Sequence, residues 1–352
     1  MKKVLYIGWI GFGNLGDELL WHVFKELSEQ YYSEEEIKIT PSFPGVDFKN
    51  VGPYDTIVLG GGSLLLPGYL QVLQKAADLG KDILIWGSGM DWVEKEQLDK
   101  MLAGENISLR KLFTEKDGEL MKDVFNRASF AGIRGPLAKK ALEAIGVDSE
   151  RIRIIGDPGL LLSANNMIDE KEKIIGVNWG TTYNRLYGGN ELAVEDALAS
   201  ACKKLIQQGY KIAIYLVWGS DKASCQRLFD KINDPDPAHV VLDEQLYKEQ
   251  ELMTILSRYT MTINFKLHAN ILSLAAGVPC VALGYRFKVF DLASSLELEK
   301  CVVSTDSINL EEDILTRIAY IEENTSSIME KYKTKEALYV PMLTEPFIQK
   351  LI

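Results

Sequence analysis

Cysteine and histidine are scarce in this chain of 352 residues: four of the first and three of the second. Cys202, Cys225, Cys280 and Cys301 form no C-x-x-C pair, so a disulfide framework and a structural zinc site are both excluded as organising devices. Cys280 sits in an apolar run and reads as a small core residue, and a reduced, cytoplasmic setting is expected. Long apolar runs are missing too. The longest, Ala269 to Tyr285, is broken by Asn270, Ser273 and Gly277-Val278-Pro279 and reads as helix, turn and strand. The opening MKKVLYIGWIGFGN lacks an A-x-A site and runs into Gly16-Asp17-Glu18, so it reads as a first strand and not a signal peptide. Basic residues are outnumbered, 39 against 50, for a net charge of −11. A surface-wide attraction to nucleic acid is thereby excluded, and an anionic ligand needs a local basic site. There is no G-x-x-x-x-G-K-[ST] loop, no H-E-x-x-H and no Ser/His/Asp spacing signature, which removes P-loop ATPases and zinc proteases. No metal site is evident.

What is present is a long alternation. Apolar, β-branched runs at Val4–Ile7, Ile37–Thr40, Thr56–Leu59, Ile83–Trp86, Phe130–Ile133 and Ile152–Ile155 form one set. A second set follows at Ile174–Asn178, Lys211–Leu216, His239–Leu242, Met261–Ile263, Cys280–Leu283 and Cys301–Val303. Helical patterns such as Asp17–Ser28, Leu137–Ile145, Ala193–Gln207 and Leu267–Ala276 lie between them. This is the signature of parallel sheets wrapped by helices, an α/β class. The length calls for two domains. The polar stretch Leu162–Lys173 divides them, giving domains over 1–165 and 170–352, the last helices of the second packing back on the first. The halves look alike, as two Rossmann-type units would.

In such sheets ligands bind beyond the carboxyl ends of the strands. After the first strand, Gly11, Gly13 and Gly16 match G-x-G-x-x-G, but Asp17 and Glu18 occupy the helix start where a pyrophosphate would lie. The second strand ends in Thr40-Pro41-Ser42, with no carboxylate for a ribose diol, so an NAD oxidoreductase ranks last. Asn14, Asp17 and Glu18 form instead a hydrogen-bonding face for a polyol, or simply favourable helix-start charges. Gly60-Gly61-Gly62-Ser63 and Gly87-Ser88-Gly89 follow two further strands; three such turns at equivalent strand ends point to one crevice.

Charge is distributed unevenly. Leu252–Phe290 contains no Asp or Glu but holds Arg258, Lys266, His268, Arg286 and Lys288. Val124–Leu142 is likewise acid-free around Arg134, and Lys173–Asn190 around Arg185. Arg134, Lys266, His268, Arg286 and Lys288 each follow a strand closely, which predicts a local positive site for a small, multiply charged anion. His268, beside Lys266 at a helix start, is the best acid–base candidate. His22, inside the first helix, and His239, after Asp234-Pro235-Asp236-Pro237, read as structural.

These pieces together resemble the polysaccharide pyruvyl transferase family. The resemblance is carried by Gly13-Asn14-Leu15-Gly16-Asp17-Glu18, Gly60-Gly61-Gly62-Ser63, Gly132-Ile133-Arg134-Gly135-Pro136, Leu142–Val147, Gly156-Asp157-Pro158, Lys266-Leu267-His268 and Gly277–Leu283. It implies two facing Rossmann-like domains with parallel sheets, as in GT-B glycosyltransferases. It also implies phosphoenolpyruvate as co-substrate, no cofactor, and a sugar acceptor that gains a pyruvate ketal as phosphate leaves. By that resemblance His268 and Arg134 are the catalytic pair. Lys266, with Arg286, Lys288 and Arg185 as helpers, holds the donor, and Asn14, Asp17, Glu18, Gly61, Gly62 and Ser63 face the acceptor. A lipid-linked acceptor would put the enzyme at the inner membrane face. The family usually has Arg-x-His where this chain has Lys266-Leu267-His268, and lysine makes no planar bidentate grip. The rival readings are a GT-B glycosyltransferase using a nucleotide sugar and a non-catalytic sugar- or anion-binding module.

Overall fold

The computed structural model describes Met1 to Ile352 apart from residues 166, 167, 169, 234, 235 and 237. Parts of the stretch read as a linker and of the Asp-Pro-Asp-Pro segment therefore lie outside the described residues. The chain folds into two compact units: Met1–Phe12, Asp17–Leu161 and Lys335–Ile352 form the first, Gly13–Gly16 and Leu162–Thr334 the second.

The first unit is built on strands β1 (Lys2–Ile7), β2 (Ile37–Pro41), β3 (Thr56–Leu59), β4 (Asp82–Ser88), β5 (Phe130–Ile133) and β6 (Arg153–Ile154). Between them run helices α1 (Leu15–Tyr31), α2 (Pro67–Asp78), α3 (Lys95–Leu102), α4 (Glu115–Arg127) and α5 (Pro136–Ile145). The sheet is parallel throughout, in the order β2-β1-β3-β4-β5-β6. Strands covered on both faces need continuous apolar runs, and every residue of β3 and of β5 is buried. Local chemistry marks helix ends: Thr114 and Asp117 form a capping box on α4, and α5 opens on Pro136 and closes on Gly146 at φ 99°.

The second unit has strands β7 (Glu172–Asn178), β8 (Lys211–Tyr215), β9 (Val240–Asp243), β10 (Tyr259–Asn264), β11 (Cys280–Gly284) and β12 (Val302–Ser304). Its helices are α6 (Glu191–Gln207), α7 (Lys222–Ile232), α8 (Glu249–Leu256), α9 (Leu267–Ala275), α10 (Phe287–Ser295) and, as far as Thr334, α11 (Leu310–Ile348). The order is β12-β11-β10-β7-β8-β9, again all parallel. Renumbered within the unit, this is the 3-2-1-4-5-6 dinucleotide-fold order, with its switch point between β7 and β10. The first sheet has the other doubly wound order, with its switch between β1 and β3. The halves are thus both doubly wound but not copies.

The sequence division left the last residues in the second domain, with its final helices expected back on the first. The structure counts Lys335–Ile352 with the first unit. There Trp86 Nε1 donates to the Leu343 carbonyl at 2.9 Å, and buried Phe347 packs on Phe24 and Trp86 at ring distances of 5.3 and 5.6 Å. Burying a phenylalanine contributes about 1.5–3 kcal/mol. All four cysteines are buried and outside any disulfide, Cys280 within β11, where burial pushes its thiol far above the ordinary range. Even the long α11 does not qualify as a membrane span: among the described residues no helix is long and apolar enough to cross a membrane.

Candidate functional site

In the first unit the Gly-rich turns meet at the carboxyl ends of β3, β4 and β5. Gly62 and Ser88 form a parallel bridge, Gly89 N donates to Gly62 O at 2.8 Å, and Ser88 Oγ donates to Gly60 O at 2.5 Å. Gly60 has no room for a side chain, because a Cβ would stand 2.3 Å from the Tyr6 ring. Arg134, expected in the catalytic pair, is only 1 % exposed. Its guanidinium reaches Ser63 Oγ and Met90 O at 3.3 Å each and Asp157 at 3.5 Å, with Gly89 pressed against it. Arg134 is a buried tie between turns, its charge answered by a fully buried Asp157. The acid-free window hid that partner because Asp157 comes from another strand end.

The acceptor residues expected from sequence divide in the same way. Ser63 is engaged by Arg134, Gly61 is hemmed in by Leu20 and Pro158, and Glu18 accepts from Gly11 N at 2.6 Å. Asp17 lies beside Gly62, where its Oδ1 is 3.4 Å from the position of a Cβ. Asn14, however, belongs to the second unit, bridged to Trp218, while Leu15 N donates to Val217 O at 2.9 Å. The polyol face Asn14-Asp17-Glu18 is therefore not a single surface of one unit.

In the second unit the switch point carries the cations. Lys266 follows β10, and α9 opens on Leu267 and His268. The Lys266 backbone N–H donates to Asn178 Oδ1 at 3.0 Å. Its Nζ donates to Thr181 O at 2.8 Å, pairs with Asp221 Oδ1 at 3.0 Å, and stands 5.0 Å from the Trp218 ring centre. Two of the three ammonium donors thus have acceptors in the protein. Asp221 is fully buried, and burial pushes its carboxyl up although Lys266 pulls it down. The local positive field is accordingly weaker than the acid-free window predicted. Sequence reading missed Asp221, although its place after β8, at Trp218-Gly219-Ser220-Asp221, is a strand-end signal. Gly180 makes room for it, since a Cβ there would lie 2.3 Å from the Asp221 carboxyl carbon.

The segment after β7 runs along the carboxyl edge of the sheet as a strap. Thr181 O takes Lys266 after β10, and Arg185 O takes Arg286 Nε after β11 at 2.7 Å. Tyr187 N donates to Tyr285 O at 2.9 Å, and Tyr187 O takes Thr305 Oγ1 after β12 at 2.8 Å. Arg286 and Lys288 both lie over the buried Tyr285 ring, at 5.5 and 5.4 Å. The structure therefore links Lys266, Arg185, Arg286 and Lys288 through one strap, as strand-end residues of β10 and β11 and the exposed outer turn after β7. A cavity of about 500 Å³ opens at the strap's far end, lined by Gly188, Asn190, Thr305 and Asp306 among others, and by none of the expected site residues.

The strap is strained. Tyr183 and Asn184 have φ of 55° and 59°, a left-handed conformation costing about 1–3 kcal/mol per non-glycine residue. Buried Glu191 holds them: its Oε2 accepts from Thr182 N at 2.9 Å and Asn184 N at 3.0 Å, and Asn184 Oδ1 accepts from Glu191 N at 2.9 Å. Burial alone would raise the Glu191 carboxyl, but hydrogen bonds from Thr181, Thr182 and Asn184 outweigh it and hold it below the usual range. Its support is therefore present above the unfolded carboxylate range and is lost only as pH falls through that lowered value.

His268 meets the backbone of Gly16, where a Cβ would stand 2.3 Å from its Nδ1. Gly11 and Gly13 have φ of 85° and 67° and need glycine for conformation; Gly16 needs it for this contact. The third glycine of the apparent dinucleotide fingerprint thus seats an imidazole. Gly16→Ala is expected to move the His268 ring resonances in an NMR spectrum while leaving those of His239 in place; unchanged His268 signals would count against the contact. Among the described residues no cluster of three or more His, Cys, Asp or Glu side chains could hold a metal ion.

Two doubly wound Rossmann-like units in one chain define the GT-B class of fold. Over its full length the chain is similar to the S. aureus MnaA–UDP structure (TM-score 0.63, 11% identity, 98% of that chain covered). It is likewise similar to Anabaena HepE in complex with UDP-glucose (TM-score 0.57, 12% identity, 99% covered). A sequence relative is the amylovoran biosynthesis protein AmsJ of Erwinia amylovora, 22% identical over 235 residues; the match takes in 61% of this chain and 56% of that protein's length. Residues 14–286 match the polysaccharide pyruvyl transferase profile, and the chain belongs to that family.

Proposed function

We propose that the chain moves the pyruvyl group of phosphoenolpyruvate onto two hydroxyls of one sugar in a cell-surface polysaccharide or its precursor, forming a pyruvate ketal and releasing phosphate. The observation that carries the reading is the switch point of the second sheet, where Lys266 and His268 open α9 and the strap ties Lys266 and Arg286 beside exposed Arg185. Phosphoenolpyruvate carries a carboxylate and a phosphate on one small frame, and several fixed cations suit it. Lys266 supplies its remaining donor to the phosphate, and Arg185, Arg286 and Lys288 answer the rest of the donor's charge.

In this scheme C3 of the donor is protonated and C2 gains oxocarbenium character. One sugar hydroxyl adds at C2, the second closes the ketal there, and the C2–O bond to phosphate breaks. Of the two hydroxyl protons, one balances the new C3–H bond and the other leaves with phosphate. His268 moves a proton in this sequence, and Asn14, in the same unit, serves the acceptor. No metal or other cofactor is needed.

The test is binding, which needs no knowledge of the acceptor. Phosphoenolpyruvate at about 100 times its Kd should stabilise the chain by about 2.7 kcal/mol in a thermal-shift assay. Arg286→Ala should reduce that shift strongly. It is preferable to Arg134→Ala, which disrupts a buried pair. A shift with UDP-glucose and none with phosphoenolpyruvate would replace this reading with nucleotide-sugar transfer, the chemistry suggested by the ligands in the MnaA and HepE structures.

A further inference from the structure

The strap holds a tyrosine where glycine would serve the backbone better. Tyr183 stands in the left-handed region, which glycine enters without strain and a bulky residue does not. The backbone donors on either side of it, Thr182 N and Asn184 N, converge on one Glu191 oxygen. Its own N–H donates to Thr181 Oγ1 at 3.0 Å. The effort does not bury the ring: Tyr183 is 73 % exposed, whereas Thr182 beside it is 7 %. A fold gains nothing from straining its backbone to hold an aromatic ring in water. Its place is also specific. Two residues before it, Thr181 O takes Lys266; two residues after it, Arg185 O takes Arg286. Tyr183 thus sits midway along the chain between the two carbonyls that tie those cations.

We propose that Tyr183 is a specificity-determining platform on which a pyranose ring of the acceptor sugar stacks through its apolar C–H face, and that Glu191 is the positioning residue that keeps it there. The proposal rests on the pyruvyl-transfer reading, in one respect: phosphoenolpyruvate has no ring, so an exposed aromatic ring on the strap that ties its cations serves the other substrate. Stacking leaves the sugar's hydroxyls free for reaction and selects for epimers whose C–H bonds share one face.

The experiment is saturation-transfer difference NMR on the full chain. The probes are methyl β-D-glucopyranoside, methyl β-D-galactopyranoside and methyl β-D-mannopyranoside, each with and without phosphoenolpyruvate. At least one glycoside should receive transfer on its ring C–H protons. Tyr183→Ala should reduce that transfer about fivefold or more, and Tyr183→Phe should retain it. Tyr183→Gly should lose it without lowering the melting temperature, because the strain is relieved as the platform is removed. Glu191→Gln should weaken the glycoside signal by a larger factor than it raises the phosphoenolpyruvate Kd, a split that general loss of structure would not give. Absence of transfer to every glycoside in the wild type, full transfer in Tyr183→Ala, or loss in Tyr183→Phe equal to that in Tyr183→Ala would each overturn the platform. If phosphoenolpyruvate binds and the glycoside signal ignores Tyr183, only the platform fails. If the signal depends on Tyr183 but phosphoenolpyruvate does not bind, only the pyruvyl reading fails. Transfer to the uracil of UDP-glucose that vanishes in Tyr183→Ala would overturn both.

Discussion

Arg134→Ala is expected to destabilise the protein by about 3–5 kcal/mol, measured by chemical denaturation. The size follows from what remains behind. Asp157 is fully buried, and its Oδ1 is fixed by Gly159 N at 2.9 Å, so the carboxylate cannot turn out to water. Removing the guanidinium 3.5 Å away leaves a charge in the interior, and the Ser63 and Met90 contacts go with it. Neutralising both members should behave differently: Arg134→Met with Asp157→Asn should recover more than half of the loss, because no unanswered charge is left. A single variant that loses less than about 1 kcal/mol would show that the pair is not structural. Any fall in activity of Arg134→Ala therefore has to be read beside its stability.

His268→Ala should show the opposite pattern, with turnover falling about 10²–10⁴-fold and the melting temperature nearly unchanged. The side chain is only partly buried at the second position of α9, so its removal is expected to cost less than that of a fully buried core residue. The magnitude is that of a positioned proton-transfer group, and it applies to the pyruvyl-transfer reading. Steady-state kinetics with phosphoenolpyruvate, following phosphate release, decides it. Near-full turnover in His268→Ala would remove the imidazole from the chemistry.

Much of the fold was legible because parallel strands buried on both faces write themselves as short apolar runs. Thr56–Leu59 and Phe130–Ile133 agree with the structure to the residue. Ends were less legible where cross-strand bonds decide them: Ile83–Trp86 extends to Asp82–Ser88 because Ser88 pairs beyond the apolar run. The site was legible only in part. The strand-end rule brought out Lys266, His268 and Arg286, since each lies within a few residues of a readable strand. It also brought out Arg134, whose burial nothing in its own window announces. Asp221 also follows a strand end and was overlooked, its partner Lys266 lying on another strand, and Glu191 lies beyond the rule because it opens α6 and binds back to Thr182 and Asn184 in the strap. Tyr183 carries no local signal either; its left-handed backbone depends on a carboxylate eight residues further on.

By itself, then, the sequence determined the α/β class, the two sheets, the strand ends where chemistry gathers and the family. These depend on apolar period, glycine placement and short motifs, all of them local. Only the tertiary structure decided that Arg134 and Lys266 are tied to acids, that Gly16 seats His268, that Lys335–Ile352 complete the first unit, and that a strained strap holds Tyr183 in solvent. Those depend on which strand ends become neighbours, and in a doubly wound sheet neighbours in space are brought together by crossovers that separate them widely in the chain.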